Sequence, residues 1–276
     1  MTTVDLNLDH GLAAAEEAHR IQRQRLIWRR RLLPVIGIAS ALVLWALVVR
    51  IFNVPVFVAP SPQLVLSTLW TKLDILLANL LPTAIEAFTG FLLGNLTAIL
   101  IATVFVHSKA MEEAFFPVVV VVNTIPVVAK APILVLLLGN GMEPKIAIAA
   151  LICFFPTLVN MVRGLESVNP QAMELMRVLS ASKREVFFKL RLRNSLPYLF
   201  SALKIAASTA VIGAIVGEWI GSTTGIGALI IQSTYNFDSA MLYATVLVGS
   251  AFSVLFFVAI ATIERFVVRW QPANSH

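Results

Sequence analysis

Four ionisable side chains interrupt long apolar runs: Glu86, Lys130, Lys204 and Glu218. A charge in such a setting is costly unless it meets a partner or an aqueous cavity, so these residues are the first candidates for function. The chemistry available to them is electrostatic, the holding or passing of a charged or polar group. Lys130 stands between Pro126 and Pro132, where helix-breaking residues free backbone carbonyls to bind polar groups or line a cavity. It either lines such a cavity, where a lysine suits an anion, or pairs with a carboxylate such as Glu218. Other chemistries find no support. His10, His19, His107 and His276 are scattered without ligand-like spacing, and Cys153 is the only cysteine, so neither a metal site nor a disulfide is expected. No Gly-Lys dipeptide occurs, which excludes a phosphate-binding loop of the Walker type. A membrane-embedded enzyme would need His, Asp, Glu or Ser clustered at one depth, and no such cluster is visible.

The elements that position these residues are membrane spans. Of 276 residues, 58% are hydrophobic and only 13% charged, in apolar runs too long for one soluble core to bury. Six spans are expected, at 32–52, 83–106, 114–138, 146–162, 197–220 and 240–263. The first is about 31 Å long at the usual helical rise, enough to cross a bilayer and too long for a signal-peptide core. Residues 1–31 form a basic tail, residues 32–270 one transmembrane domain, and residues 271–276 a short C-terminal tail. Lysine and arginine accumulate in segments held on the cytoplasmic side. With the N-terminus inside, that side collects Arg20, Arg23, Arg25, Arg29, Arg30, Arg31, Lys109, Arg163, Arg177, Lys183, Arg184, Lys189, Arg191, Arg193, Arg265 and Arg269. The outside keeps only Arg50, Lys72 and Lys145. Both termini are therefore expected in the cytoplasm, and the net charge of +6 reflects topology rather than nucleic-acid binding. On this layout Glu86 and Glu218 lie near the outer interface, where solvation would suffice for them, and Lys204 near the inner one, where it could snorkel.

The basic loop over residues 163–196 has internal order. Asn169 and Pro170 give an N-cap acceptor followed by proline at the first helical position. Ala172, Leu175, Met176 and Leu179 then fall at i, i+3, i+4 and i+7, one apolar stripe of a short amphipathic helix, with Glu174 and Arg177 off the stripe. Ser180, Ala181 and Ser182 make a small-residue turn, and Ser182 with Glu185 fits a capping box for a second short helix carrying Val186, Phe187 and Leu190. Such a pair could dock on a partner or lie in the lipid interface. In the fifth span Gly213, Gly217 and Gly221 recur every four residues, a pattern for close helix contact that serves a dimer seam or packing within one subunit equally well. Gly225 and Gly227 fit a re-entrant turn at an outer gate.

From Glu174 to Pro197 the loop resembles the cytoplasmic "EAA" loop of binding-protein-dependent ABC permeases. Glu174 takes the Glu position, Ser180 the Gly position, and Leu190 and Leu192 the aliphatic and Leu positions, with Pro197 at a further proline. Leu175 and Met176 stand where the pattern has alanines, Ser180 where it has glycine, and Arg193 where it has proline. The serine matters, because glycine adopts a positive φ without the cost that serine meets. NTIPVVAKAPILVLLLG, residues 123–139, is similar to a stretch of the nitrate, sulfonate and taurine permease subfamily, and EWIGSTTGIGALI, residues 218–230, to the segment after its fifth span.

This resemblance spans most of residues 80–270 and implies an all-α membrane protein with the six-helix type I ABC importer permease fold. It implies a transport subunit in the bacterial inner membrane rather than an enzyme, forming half of a translocation path for a small, potentially anionic solute. The implied partners are two ABC ATPase subunits that bind ATP and Mg, a second permease copy in a homodimer, an extracytoplasmic solute-binding protein and the lipid bilayer, with no nucleic acid. No cofactor is implied for this chain itself. Glu174, Arg177, Ser180, Ala181, Ser182, Leu190 and Leu192 would couple to the ATPase, and Asn123, Lys130 and Glu218 are candidates for the path. The alternative is a secondary transporter or channel that works without an ATPase.

Overall fold

The computed structural model describes residues 28–29 and 32–269. The two tails expected at the chain ends fall almost wholly outside the described residues, whose regular structure is all helix, with no strand. The chain divides into two compact units, at residues 1–64 and 65–276. In the first, α1 runs over Leu32–Ile51, 20 residues of the expected first span. A short helix, α2 (Pro62–Thr71), begins at a proline that cannot propagate a helix backwards but fits its first turn.

The second unit carries α3 (Leu73–His107), α4 (Lys109–Thr124), α5 (Val127–Leu138), α6 (Glu143–Glu166), α7 (Pro170–Val178), α8 (Lys183–Glu185), α9 (Leu192–Glu218), α10 (Ile226–Tyr235) and α11 (Ser239–Val267). Its centre is the packing of α3, α6 and α9. Small residues let these backbones approach: a Cβ at Gly213 on α9 would stand 2.8 Å from the Ala149 Cα on α6, and one at Gly90 on α3 would stand 2.5 Å from the Ala149 Cβ. In an apolar solvent helices gain little from burying leucine, so close backbone contact takes over that role. The glycine repeat of the fifth span thus serves packing within one subunit, with Gly213 against Ala149 and Gly217 against Lys145. Ala87, Cys153, Ala206 and Ala210 continue the seam, and a second cluster of Ala98, Phe105, Leu158, Met161 and Phe187 fills the bundle toward the loop end. A polar tie crosses the core where Thr157 Oγ1 donates to Asn95 Oδ1 at 2.5 Å.

Among the described residues five helices have the length and composition of spans, and a sixth candidate is a bent pair. The straight third span expected over 114–138 is instead α4 and α5, which meet at an angle of 100°. Pro126 disfavours the helical region for the residue before it, and Ile125 accordingly takes φ −65° and ψ 125°. The second span begins ten residues before its expected start and carries Pro82 inside it.

Candidate functional site

Two regions concentrate polar chemistry, one at each end of α9. At its C-terminal end, Glu218 is buried rather than solvated at an interface, the simpler of the two readings its position allows. Its carboxylate accepts from Thr83 Oγ1 at 2.6 Å and from the Gly227 N–H at 2.5 Å. Thr83 in turn accepts from the Ile226 N–H at 2.8 Å, and Asn79 Oδ1 accepts from the Gly225 N–H at 3.0 Å. Gly225 has φ +110°, and a Cβ there would fall on the Glu218 carboxylate, so only glycine fits this turn into α10. These bonds satisfy the first N–H groups of α10, which would otherwise be orphaned in a buried place. The turn into α10 is therefore held from three sides.

Glu86, one helical turn beyond Thr83, is likewise buried and meets Lys145 Nζ at 3.5 Å. Its Oε2 is buried without a hydrogen-bond partner. Lys145 also donates to Ser222 Oγ at 2.9 Å, and Asn140 donates to the Gly221 carbonyl at 3.0 Å, so the residues after α9 are tied to the start of α6. One expectation is corrected here, and one of the two alternatives for Lys130 falls away. Lys145 is not a solvated loop cation but a buried residue in the first turn of α6, and Lys130 does not pair with Glu218, whose oxygens are taken by Thr83 and Gly227. The cation of this cluster is Lys145. Asn79, Thr83 and Glu86 were legible as a polar stripe at i, i+4 and i+7 on one face of α3; only Glu86 was singled out. Lys145 was misread because the start of α6 was placed three residues late, despite Pro144 at a position that suits a first helical turn.

Lys130 lies half-buried on α5, beyond the bend, with no ion pair among the described residues, and Asn123 is exposed near the end of α4. Lys204 is not left to snorkel: it forms an ion pair with Glu264 on α11 at 2.7 Å, each side chain 23% exposed.

At the other end of α9 the loop folds largely as its residues indicate. Asn169 caps α7 by accepting from the Gln171 N–H at 2.9 Å. Ser180 takes φ +53°, and the bonds Ala181 N–H to Met176 C=O and Ser180 N–H to Arg177 C=O, both 2.9 Å, make a Schellman motif with serine at the position glycine usually holds. The left-handed turn survives the substitution. Both bonds of the Ser182 and Glu185 capping box are present. The second short helix does not stand apart, however. A turn of π-helix over Val186–Arg191 fuses α8 to α9 into a single run, Lys183–Glu218, of 36 residues. Leu190 and Leu192 are half-buried in that run, while Glu174, Arg177, Ser180 and Ser182 are exposed and Ala181 is half-buried. The apolar stripe divides: Ala172 and Met176 turn inward, whereas Leu175 and Leu179 are exposed together with Val178, which is 81% exposed. Asn194, which the sequence reading passed over, anchors the loop by donating to the Gly164 and Ser167 carbonyls at 3.2 and 2.9 Å.

Among the described residues, five apolar helices of spanning length, one bent pair and an ordered polar loop fit a multi-pass membrane protein. The profile of the family described as binding-protein-dependent transport system inner membrane component matches residues 90–271, and the chain belongs to that family. It is 33% identical over 239 residues to the formylaminopyrimidine transport permease protein ThiX of Halalkalibacterium halodurans, covering 86% of this chain and 95% of that one. It is 31% identical to the riboflavin transport system permease protein RibX of Chloroflexus aurantiacus, covering 91% and 94%. With the aliphatic sulfonates transport permease protein SsuC of Bacillus subtilis, a putative assignment in its own name, identity is 26% and the coverage 92% and 91%. A solved structure of the MetNI methionine ABC transporter in inward-facing conformations shares the fold at a TM-score of 0.58 with 19% identity, covering 73% of this chain and 98% of that one. The chain is thus a multi-pass translocation subunit of an ABC importer and not an enzyme; ATP hydrolysis is the task of a separate ATPase.

Proposed function

We propose that this chain pairs with a second copy to form a translocation path across the bacterial inner membrane, each copy coupled to one ATPase through the loop over residues 163–196. ATP and Mg are then held by the ATPases, and an extracytoplasmic binding protein delivers the solute. The observation that carries the coupling is the exposed apolar edge of α7. Leu175, Val178 and Leu179 are 58%, 81% and 66% exposed on and just after a helix that is capped at both ends, in a loop whose base Asn194 of α9 holds at Ser167. Lipid could cover such an edge, but the order of the loop around it, with Glu174 and Arg177 beside the leucines, fits a protein groove better. The loop lies on the cytoplasmic side on the strength of its lysines and arginines. The solute is small and, from Lys130 on α5, which has no ion pair among the described residues, anionic; formylaminopyrimidine, riboflavin and aliphatic sulfonates are the solutes named for the relatives.

The decisive experiment is co-expression with the ATPase encoded alongside this chain, followed by purification of wild type, Glu174→Ala and a deletion of Ser180 to Ser182. A stable complex that either change disrupts or uncouples supports the reading. Failure of any ATPase to bind, with both variants behaving as wild type, would favour a transporter that works alone. Separately, Lys130→Gln should weaken uptake of an anionic solute; unchanged affinity would remove the charge argument.

A further inference from the structure

Beneath α7 lies a cavity of about 390 Å³, at the lower end of the range for small-molecule sites. Arg177 on α7, Lys183 at the start of α8 and Arg191 at the end of the π turn all line it, as does His107 at the end of α3. No carboxylate lines it, and none of the three cations forms an ion pair among the described residues. Glu185 holds Lys189 at 2.9 Å and caps Ser182, Glu166 lies 3.9 Å from Lys109, and Glu174, three residues before Arg177, is exposed and does not line the cavity. Phe187 and Val106 supply an apolar wall, with the Phe187 ring 5.0 Å from the His107 ring and tilted 53° to it. Three elements thus bring like charges together around one space, a repulsion that a free protein relieves only with a bound anion or by solvent.

We propose that this cavity binds a phosphate group, carried either by an anionic phospholipid headgroup or by free phosphate. Two arginines and a lysine offer the forked and point-charge donors that phosphate oxygens accept, and the apolar wall suits the glycerol side of a headgroup. Basic pockets beside spans on the cytoplasmic face bind such headgroups. That placement rests on the topology of the preceding section, but the site is built from this chain alone, so binding is tested first on this chain and then on the complex. An occupied site would brace α7 against α8 and the π turn that leads into α9, since the same anion would touch Arg177, Lys183 and Arg191.

The full-length chain is placed in nanodiscs of phosphatidylcholine with and without phosphatidylglycerol. Phosphatidylglycerol retained through delipidation is counted by native mass spectrometry, and binding of radiolabelled inorganic phosphate is measured by equilibrium dialysis. Wild type should bind at least one probe saturably; lipid retention alone identifies the headgroup, phosphate binding alone the free ion. Arg177→Gln with Arg191→Gln should weaken binding at least tenfold, Arg177→Lys with Arg191→Lys should keep most of it, and Arg163→Gln with Arg184→Gln, outside the cavity, should match wild type. Should the glutamine pair not fold, Lys183→Gln on the exposed turn replaces it, with a loss of threefold or more. The proposal falls if wild type binds neither probe, if the cavity variants match wild type, or if the outside pair loses as much. It also falls if the ATPase-bound complex binds neither probe, because acidic groups of the partner would then be the occupants.

Discussion

Glu86 and Lys145 show what a single charge does in this bundle. Each is nearly sealed from solvent, 1% and 6% exposed as residues, and each is the other's ion-pair partner. Removing one partner leaves an uncompensated buried charge, so Lys145→Met should destabilise the protein by about 3–5 kcal/mol. Replacing both, Glu86→Gln with Lys145→Met, should recover most of that loss, because the cost lies in the orphaned charge rather than in the bond. Denaturant titration in mild detergent measures both; equal losses in the single and double variants would mean that Lys145 matters for its packing against Gly217 instead. Ser180 offers the opposite sign. At φ +53° it carries the left-handed penalty of an L-residue, and Ser180→Gly should stabilise the loop by about 1 kcal/mol at most, read as slower proteolysis of the 170–190 segment. Faster cleavage would show that the serine is held by more than its backbone.

Elements were legible in the sequence to unequal degrees, for physical reasons. The caps of α7 and α8 are local: Asn169, Pro170, Ser182 and Glu185 act on backbone groups within three residues, and the structure has the expected bonds. The spans are nearly as local, because bilayer thickness sets their length. The bend between α4 and α5 was signalled by Pro126 but not resolved, since a proline either kinks a span or breaks it according to what packs around it. The fusion of the loop to α9 through a π turn had no local signal at all. The glycine spacing of α9 indicated close contact without its partner, because sequence does not say which helix lies across the seam. That partner is α6, which yields a test: Gly213→Leu should prevent α6 and α9 from closing, with loss of monodisperse protein in size-exclusion chromatography. A well-behaved Gly213→Leu protein would mean that the 2.8 Å approach to Ala149 yields at little cost.

At the scale of the molecule, α9 joins the two polar regions. The run Lys183–Glu218 has 36 residues and is therefore about 54 Å long, with the loop at one end and Glu218 at the other. Glu218 holds Thr83 and Gly227, so a displacement that α7 passes through the turn at Ser180 to Lys183 has one continuous helix to follow to the turn that starts α10. Continuity is not coupling, and coupling requires that both ends bias one two-state element. The two ends can be separated by substitution. Leu175→Asp with Val178→Asp changes only side chains already 58% and 81% exposed, so the fold should survive while ATPase retention and transport are both lost. Thr83→Val removes the hydroxyl that donates to Glu218 and accepts from the Ile226 N–H, about 1–3 kcal/mol of local stability, far from the loop. It should leave the ATPase bound and hydrolysing while solute uptake in proteoliposomes falls severalfold. If uptake and ATP hydrolysis fall together in Thr83→Val, the Glu218 cluster acts on folding alone; if uptake is unchanged, the turn into α10 moves independently of α9 and the long helix is a strut rather than a lever.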